Sequence, residues 1–310
     1  MESPYNVGKH GKEVDGVFHW MASYRPDSDV RFRYGTFQRI DSNSVITEGF
    51  LHTWEYQNLF VEPAPQSHPP PTFQKPKEKK MVAWLVSHCG SWSRRALLVK
   101  SLQKYLDVDI YGECGPFDCP DDDAHCRDFL AANYKFYLAF ENSLCLDYVT
   151  EKLWSVLGKD ILPVTFSLIN DTAAFPPRSY INALDFGSVQ ELAKYMIYLN
   201  DNEDQYQSYF QWKKEYRVFD GGDGLCSMCE KVWQRRQGNG NSEEVHADRY
   251  ESMLRWMNTL PTSTKNDDGN GYGTVEFRVG NKRITTNTTC IDPFDHKILL
   301  DWMQDIKSVK

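Results

Sequence analysis

Residues 81–112, "MVAWLVSHCGSWSRRALLVKSLQKYLDVDIYG", contain the change of period that decides the fold. "MVAWLVS" is apolar without alternation, the pattern of a parallel strand covered on both faces. After the polar turn "HCGSWSRR", Leu98, Leu102, Tyr105 and Leu106 recur at helical spacing, and "VDIYG" reads as a second strand. Downstream the alternation repeats: "KFYLAFE" (135–141) as strand, "VTEKLWSVLG" (149–158) as helix, "ILPVTF" (161–166) as strand, and "SVQELAKYMIYLN" (188–200) as a helix opened by a Ser188–Glu191 capping box. Alternation of this kind predicts an α/β fold, a parallel sheet with helices on both faces.

Upstream, "VEPAPQSHPPPTFQKPKEKK" (61–80) holds six prolines and a lysine run, which predicts an extended linker between two bodies. Residues 81–235 then form one domain. Past it, "GNGNSEE" breaks the pattern, "TVEFRVGNKRITTN" (274–287) predicts a hairpin around Gly280-Asn281, and "DHKILLDWMQDI" (295–306) a last helix, giving a C-terminal extension over 236–310.

The 310 residues, 41% hydrophobic and 14% aromatic, are enough for packed cores, and a formal charge of -8 with no basic stripe argues against a nucleic-acid partner. No apolar run approaches the roughly 18 residues that span a bilayer. Eight cysteines and two sequons, at Asn170 and Asn287, lean toward the secretory pathway, where disulfides persist. "CSMC" (226–229) has no second Cys or His pair to complete a zinc set, so a structural disulfide is its expected use. "NDDGNGYGTVEF" fails as a calcium loop, because Phe277 stands where the bidentate Glu is required. Asp27 and Asp29 of "PDSDV" have the Asp-X-Asp spacing of a metal motif, but a turn is the expected role and no metal site is predicted.

Ligands of an open parallel sheet sit beyond the carboxyl ends of its strands, where helix N-termini offer free N–H groups. Arg95 and Lys152 both fall at such strand-to-helix crossings. Two cations there suit a diphosphate, and the adjacent Glu151 can accept hydrogen bonds from sugar hydroxyls. Neither common Gly-rich phosphate loop is present, which removes support for NAD or ATP chemistry.

"KFYLAFENSLCLDYVTEKLW" (135–154) resembles the signature of the family 10 glycosyltransferases, the α1,3/α1,4-fucosyltransferases. The resemblance extends through "VSHCGSWSRRALLVKSLQKYLDVDIYGECG" (86–115), "FHWMASYRPDSDVRFRYG" (18–35) and "FPPRSYINALDF" (175–186). It implies a GT-B architecture of two Rossmann-like domains. Residues 81–235 would be the GDP-fucose-binding domain, and 1–60 the C-terminal part of an acceptor-binding domain that is incomplete at its N-terminus. By the same resemblance Arg95 and Lys152 hold the pyrophosphate and Asn142, Tyr148 and Glu151 bind nucleotide and fucose. Tyr24, Arg25, Asp27 and Asp29 fall in the acceptor region, and Glu2 of "MESP" is the general base.

The implied reaction is inverting transfer of L-fucose from GDP-β-L-fucose to a GlcNAc hydroxyl, O3, of a glycoprotein or glycolipid glycan. No cofactor is required, and a divalent cation at most stimulates. The expected setting is the Golgi lumen, with membrane attachment only through an N-terminal anchor outside this chain. The alternative is a catalytically incompetent GDP-sugar-binding fragment that lacks a complete acceptor domain.

Overall fold

The computed structural model describes residues 3, 20–40, 45–46, 78–119, 123–170, 174–221, 224–237, 253–258, 275–286 and 288–304. The elements before the sheet are short: β1 (Ala22–Ser23), β2 (Val30–Arg31), β3 (Gly35–Arg39) and β4 (Val45–Ile46). The main unit then runs β5 (Lys80–Leu85), α1 (Arg95–Leu102), β6 (Val108–Tyr111), α2 (Asp123–Asn133), β7 (Tyr134–Phe140), β8 (Leu144–Cys145), α3 (Glu151–Leu157), β9 (Leu162–Phe166), β10 (Ile181–Asn182) and α4 (Val189–Asp201). After it come α5 (Glu203–Gln207), β11 (Tyr216–Asp220), α6 (Gly224–Arg236), α7 (Met253–Asn258), β12 (Val275–Val279), β13 (Lys282–Thr286), β14 (Cys290–Ile291) and α8 (Lys297–Met303).

Five strands form one sheet in the order β10-β9-β7-β5-β6, parallel throughout. The α/β expectation is met. Burial explains the unbroken apolar runs. In β7, Phe136, Leu138 and Phe140 face one core cluster while Tyr137 and Ala139 face the other. One face is covered by Leu98, Val99 and Leu102 of α1, Leu192 and Met196 of α4, and Leu299, Trp302 and Met303 of α8. The other is covered by Leu130 of α2, Leu153 and Trp154 of α3, and Phe37 of β3. Each fully buried Leu or Phe contributes about 1.5–3 kcal/mol, so the central strand outweighs any single cap or surface pair.

From β5 the chain crosses through α1 to β6 on one side, then returns to place β7 on the other side of β5. The order therefore reverses between β5 and β7, and open α/β sheets form their ligand crevice at such a reversal.

Local signals set the element ends. Ser188 Oγ accepts from Glu191 N at 3.1 Å, but the Glu191 carboxylate reaches back one residue further than the ideal box, to Gly187 N at 3.0 Å. The hairpin turns at Gly280, whose φ of 57° suits glycine. This C-terminal part joins the sheet's core: Val279 and Ile284 are buried in it, and Trp302 Nε1 donates to Phe186 O at 2.8 Å.

β3 pairs antiparallel with β11, so residues from the two sides of the sheet domain's sequence lie side by side. Phe37 of β3 packs among Trp154, Phe175 and Trp212. A Cβ on Gly35 would lie 2.3 Å from Trp154, so only glycine permits this approach.

Disulfides join Cys89–Cys114, Cys119–Cys126 and Cys145–Cys290, the last clamping β8 to β14. The expected "CSMC" disulfide is corrected: Cys226 and Cys229 are exposed free thiols one turn apart on α6. Residues 61–77 of the predicted linker lie outside the described residues.

Candidate active site

The loop after β5 and the loop after β7 are tied directly together. Ser93 N donates to Asn142 O at 2.9 Å, and Ser93 Oγ to Glu141 O at 2.6 Å. These bonds fix the two strand-to-helix crossings that carry Arg95 and Lys152.

Arg95 opens α1, but its guanidinium turns inward and is only 3% exposed. Nη1 donates to Phe140 O at 2.6 Å and Nη2 to His88 O at 3.2 Å, while Nε has no partner. Burial pulls its pKa down, and the nearby Glu141 carboxylate opposes that pull.

Glu141 follows the last residue of β7 and is completely buried. Its Oε1 accepts from Thr150 N at 2.7 Å, and the Thr150 hydroxyl donates to the same carboxylate at 2.8 Å to Oε2. Thr150 is the N-cap of α3, so the carboxylate satisfies a backbone donor at a helix start.

Lys152 Nζ stands 3.3 Å from Glu141 Oε2, 2.9 Å from Glu151 Oε1 and 2.8 Å from Thr150 Oγ1. Burial alone would lower the Lys152 pKa, but Glu141 and Glu151 outweigh it and the net shift is upward, so the ammonium is held charged. Burial pushes the Glu141 carboxyl up, against Lys152 and the Thr150 hydrogen bonds. Glu151 is also pushed up by burial, yet Lys152 brings it below the usual glutamate value. The positive charge of Arg95 acts on Lys152, and Glu141 acts on both. At the reversal between β5 and β7 the buried carboxylate thus pairs with Lys152, while the carbonyls of Phe140 and His88 hold Arg95 within reach of its charge.

Asn142 lies beside this group with its Oδ1 buried and unpartnered. Tyr148 is buried, its ring 5.0 Å from that of Tyr24. Glu151 keeps its side chain 46% exposed at the mouth of the crevice.

Of the acceptor-region residues, Arg25, Asp27 and Asp29 are tied to neighbouring elements. Arg25 binds Asp27 through two hydrogen bonds, of 2.8 and 2.7 Å, and donates to Trp256 O at 2.6 Å and Met257 O at 3.1 Å. Asp29 accepts from Met21 N at 2.8 Å and from Lys231 Nζ at 3.3 Å. These pairs hold residues 21–31 against α6 and α7. Among the described residues no group of three or more His, Cys, Asp or Glu side chains is arranged around a metal-sized point. Asn170 is exposed, its N–H bonded to Asp147 Oδ1 at 2.7 Å. Glu2 and Asn287 lie outside the described residues.

Glu141 was not among the predicted site residues. Its signal was present: a lone carboxylate directly after seven strand residues, with no exposed neighbour before it.

The sequence model described as "Glycosyltransferase family 10 (fucosyltransferase) C-term" matches residues 75–259, which include Arg95, Glu141, Asn142, Tyr148, Glu151 and Lys152. The chain is 36% identical over 239 residues to "Alpha-(1,3)-fucosyltransferase C" of Drosophila melanogaster, covering 75% of this chain and 53% of the relative. It is 42% identical over 165 residues to "Alpha-(1,3)-fucosyltransferase fut-1" of Caenorhabditis elegans, covering 50% of this chain and 38% of that one. A crystal structure of an alpha1,3-fucosyltransferase with GDP-fucose overlaps 56% of this chain and 51% of its own, at a TM-score of 0.43 and 20% identity. The chain therefore spans about half, or less, of the length of these relatives.

Proposed function

The chain belongs to glycosyltransferase family 10, the fucosyltransferases, and from that premise we propose that the crevice between β5 and β7 binds GDP-fucose for transfer of L-fucose to a glycan. The observation that supports this reading is that the two strand-to-helix crossings at the sheet's reversal each carry a cation, Arg95 held by Phe140 O and Lys152 paired with the buried Glu141.

Lys152 faces the pyrophosphate and neutralises charge as GDP departs, the step at which fixed positive charge lowers the barrier most. Arg95 adds its charge from behind and holds the carboxyl end of β7 through Phe140 O. Asn142 offers an amide with an unused acceptor to the nucleotide, and Glu151 accepts hydrogen bonds from ribose or fucose hydroxyls. Tyr148 closes the side of the site toward Tyr24.

In the proposed reaction the acceptor oxygen bonds to C1 of fucose as the C1–O bond to the β-phosphate breaks. Glu2 takes the acceptor proton, GDP carries away the electron pair, and the β-linked donor gives an α-linked product. The acceptor is a GlcNAc O3 on a glycoprotein or glycolipid. Two resident cations make metal dispensable for charge balance, with a divalent ion at most stimulating. Three disulfides favour an oxidising compartment, in keeping with a Golgi-lumenal site of action. Among the described residues no helix is long and apolar enough to cross a membrane.

Titration calorimetry with GDP-fucose and a transfer assay on GlcNAc-terminated glycans test both halves. Binding with transfer is expected. Absence of GDP-fucose binding ends the proposal, and binding without transfer leaves a GDP-sugar-binding module instead.

A further inference from the structure

The Asp147–Trp154 segment also walls a small pocket, bounded by Tyr24, Arg31, Arg33, Asp147, Trp154 and Phe175 among others. The space inside is about 40 Å³, room for a monatomic ion or a few waters and too little for a sugar ring. Tyr24 and the two arginines come from the β1–β2 region and the residues just after it, Asp147 from the loop after β8, Trp154 from α3, and Phe175 from the stretch after β9. Groups far apart in sequence thus meet around one water-sized space.

The charges that line it do not cancel. Two guanidinium groups stand against one carboxylate, and that carboxylate is partly engaged, its Oδ1 accepting from Asn170 N at 2.7 Å. The ionic groups just outside the wall are paired with one another, Arg25 with Asp27 at 2.7 Å and Lys231 with Asp29 at 3.3 Å, so they leave the positive excess in place. The Tyr24 hydroxyl, on a residue only 4% exposed, finds no hydrogen-bond partner. Burial raises its pKa, so the phenol stays protonated and can donate. A buried donor left unmade is costly, an arrangement expected where a bound group accepts from it. A water would take that hydrogen bond but leave the charge excess unanswered, and a cation is repelled. Val149, Ile169, Trp154 and Phe175 make the rest of the wall apolar, which penalises a strongly hydrated oxyanion more than a weakly hydrated halide.

We propose that this pocket binds a monatomic halide, chloride in ordinary media, which accepts from the Tyr24 hydroxyl and is held by the charge of Arg31 and Arg33. Asp147 and Trp154 bracket the short segment that carries Tyr148, Glu151 and Lys152. The bound ion therefore braces the β1–β2 region against the start of α3. It does so with no nucleotide present, and the proposal stands whether or not the neighbouring crevice takes GDP-fucose.

The test follows thermal unfolding of the full chain without nucleotide, in sodium gluconate that is replaced stepwise by sodium chloride or sodium bromide at fixed ionic strength, so that general screening stays constant. Gluconate is too large for the space. The wild-type midpoint is expected to rise by about 2–4 °C and then level off with either halide. Tyr24→Phe removes only an unpartnered hydroxyl, so it is expected to match the wild type in gluconate and to need about 10-fold more halide for the same rise. Arg33→Met, read the same way, is expected to lose the saturable rise. The proposal is overturned by a midpoint that ignores the exchange of anion, which leaves water in the pocket, or by either variant responding to halide as the wild type does, which places the effect elsewhere. A Tyr24→Phe midpoint well below wild type in gluconate also overturns it, because the hydroxyl is then bonded within the protein.

Discussion

Glu141 Oε2 lies 3.3 Å from Lys152 Nζ, on a carboxylate that solvent does not reach. The pair joins the end of a central strand to the first turn of the next helix. Truncating one partner of such a pair leaves a desolvated charge, whereas replacing both with apolar groups is often tolerated.

Glu141→Ala is expected to lower stability by about 3 kcal/mol or more, because it strands Lys152 and unpairs Thr150 N. Glu141→Gln keeps an acceptor for that N–H and is expected to cost about 1–2 kcal/mol. Urea unfolding ranks the two, and equal losses would mean that the charge is irrelevant.

Lys152→Met is expected to weaken GDP binding by about 10–100-fold, the scale of a lost charge-assisted hydrogen bond. It also destabilises the fold by leaving Glu141 unpaired. The double variant Lys152→Met/Glu141→Leu is expected to regain part of the stability, Thr150 N staying unpaired, without regaining affinity. Calorimetry beside thermal unfolding separates the two roles, and recovery of GDP binding in the double variant would remove Lys152 from the phosphate site.

The Glu151 carboxyl is held below its ordinary value of about 4.5 by Lys152, which outweighs the effect of burial. A depressed carboxylate contributes stability that is present above the unfolded value and lost as pH falls through the lower folded one. Glu151→Gln is therefore expected to be less stable than wild type near neutrality, by under about 1 kcal/mol given the half-exposed side chain. The difference is expected to vanish in acid, and melting curves between pH 2 and 7, read against the assignment, reject it if the gap widens there.

Replacing Cys145 and Cys290 together by alanine opens the crosslink that closes a loop with a sequence separation of 145. The expected loss is about 2–5 kcal/mol. Calorimetric unfolding that matches wild type would show that the β8–β14 pairing holds without it.

Gly35→Ala sets a methyl against the Trp154 ring and the Phe219 carbonyl. Overpacking of this kind costs about 1–3 kcal/mol. A neutral result by urea unfolding would mean that β3 can move away from α3.

The parts of the fold legible in sequence were those governed by near neighbours in the chain. Doubly buried strands announced themselves as unbroken apolar runs, and the Ser188–Glu191 cap and the Gly280 turn were each written within a few residues. Helix α6 does carry a helical signal, Leu225, Met228, Cys229, Val232 and Trp233 at spacings of three and four, but the stripe faces outward and belongs to no core, and its two cysteines stand as free thiols. The partners of Arg25 lie at Trp256 and Met257, far along the chain, so no local pattern could distinguish an internal strut from a ligand contact. Arg95 and Lys152 stand at the predicted crossings, and Glu141 is marked in the sequence as a lone acid closing an apolar strand, but its pairing with Lys152 is a contact that no pattern within the strand announces.

The pairing of β3 with β11 also bears on how the chain is made. During synthesis the Gly35–Arg39 strand emerges early with one edge bare, and its neighbour at Tyr216–Asp220 follows only after the whole parallel sheet has left the ribosome. A waiting edge of that kind invites pairing with other nascent chains. Closing that edge needs a long-range pairing, and contacts so distant in sequence form late.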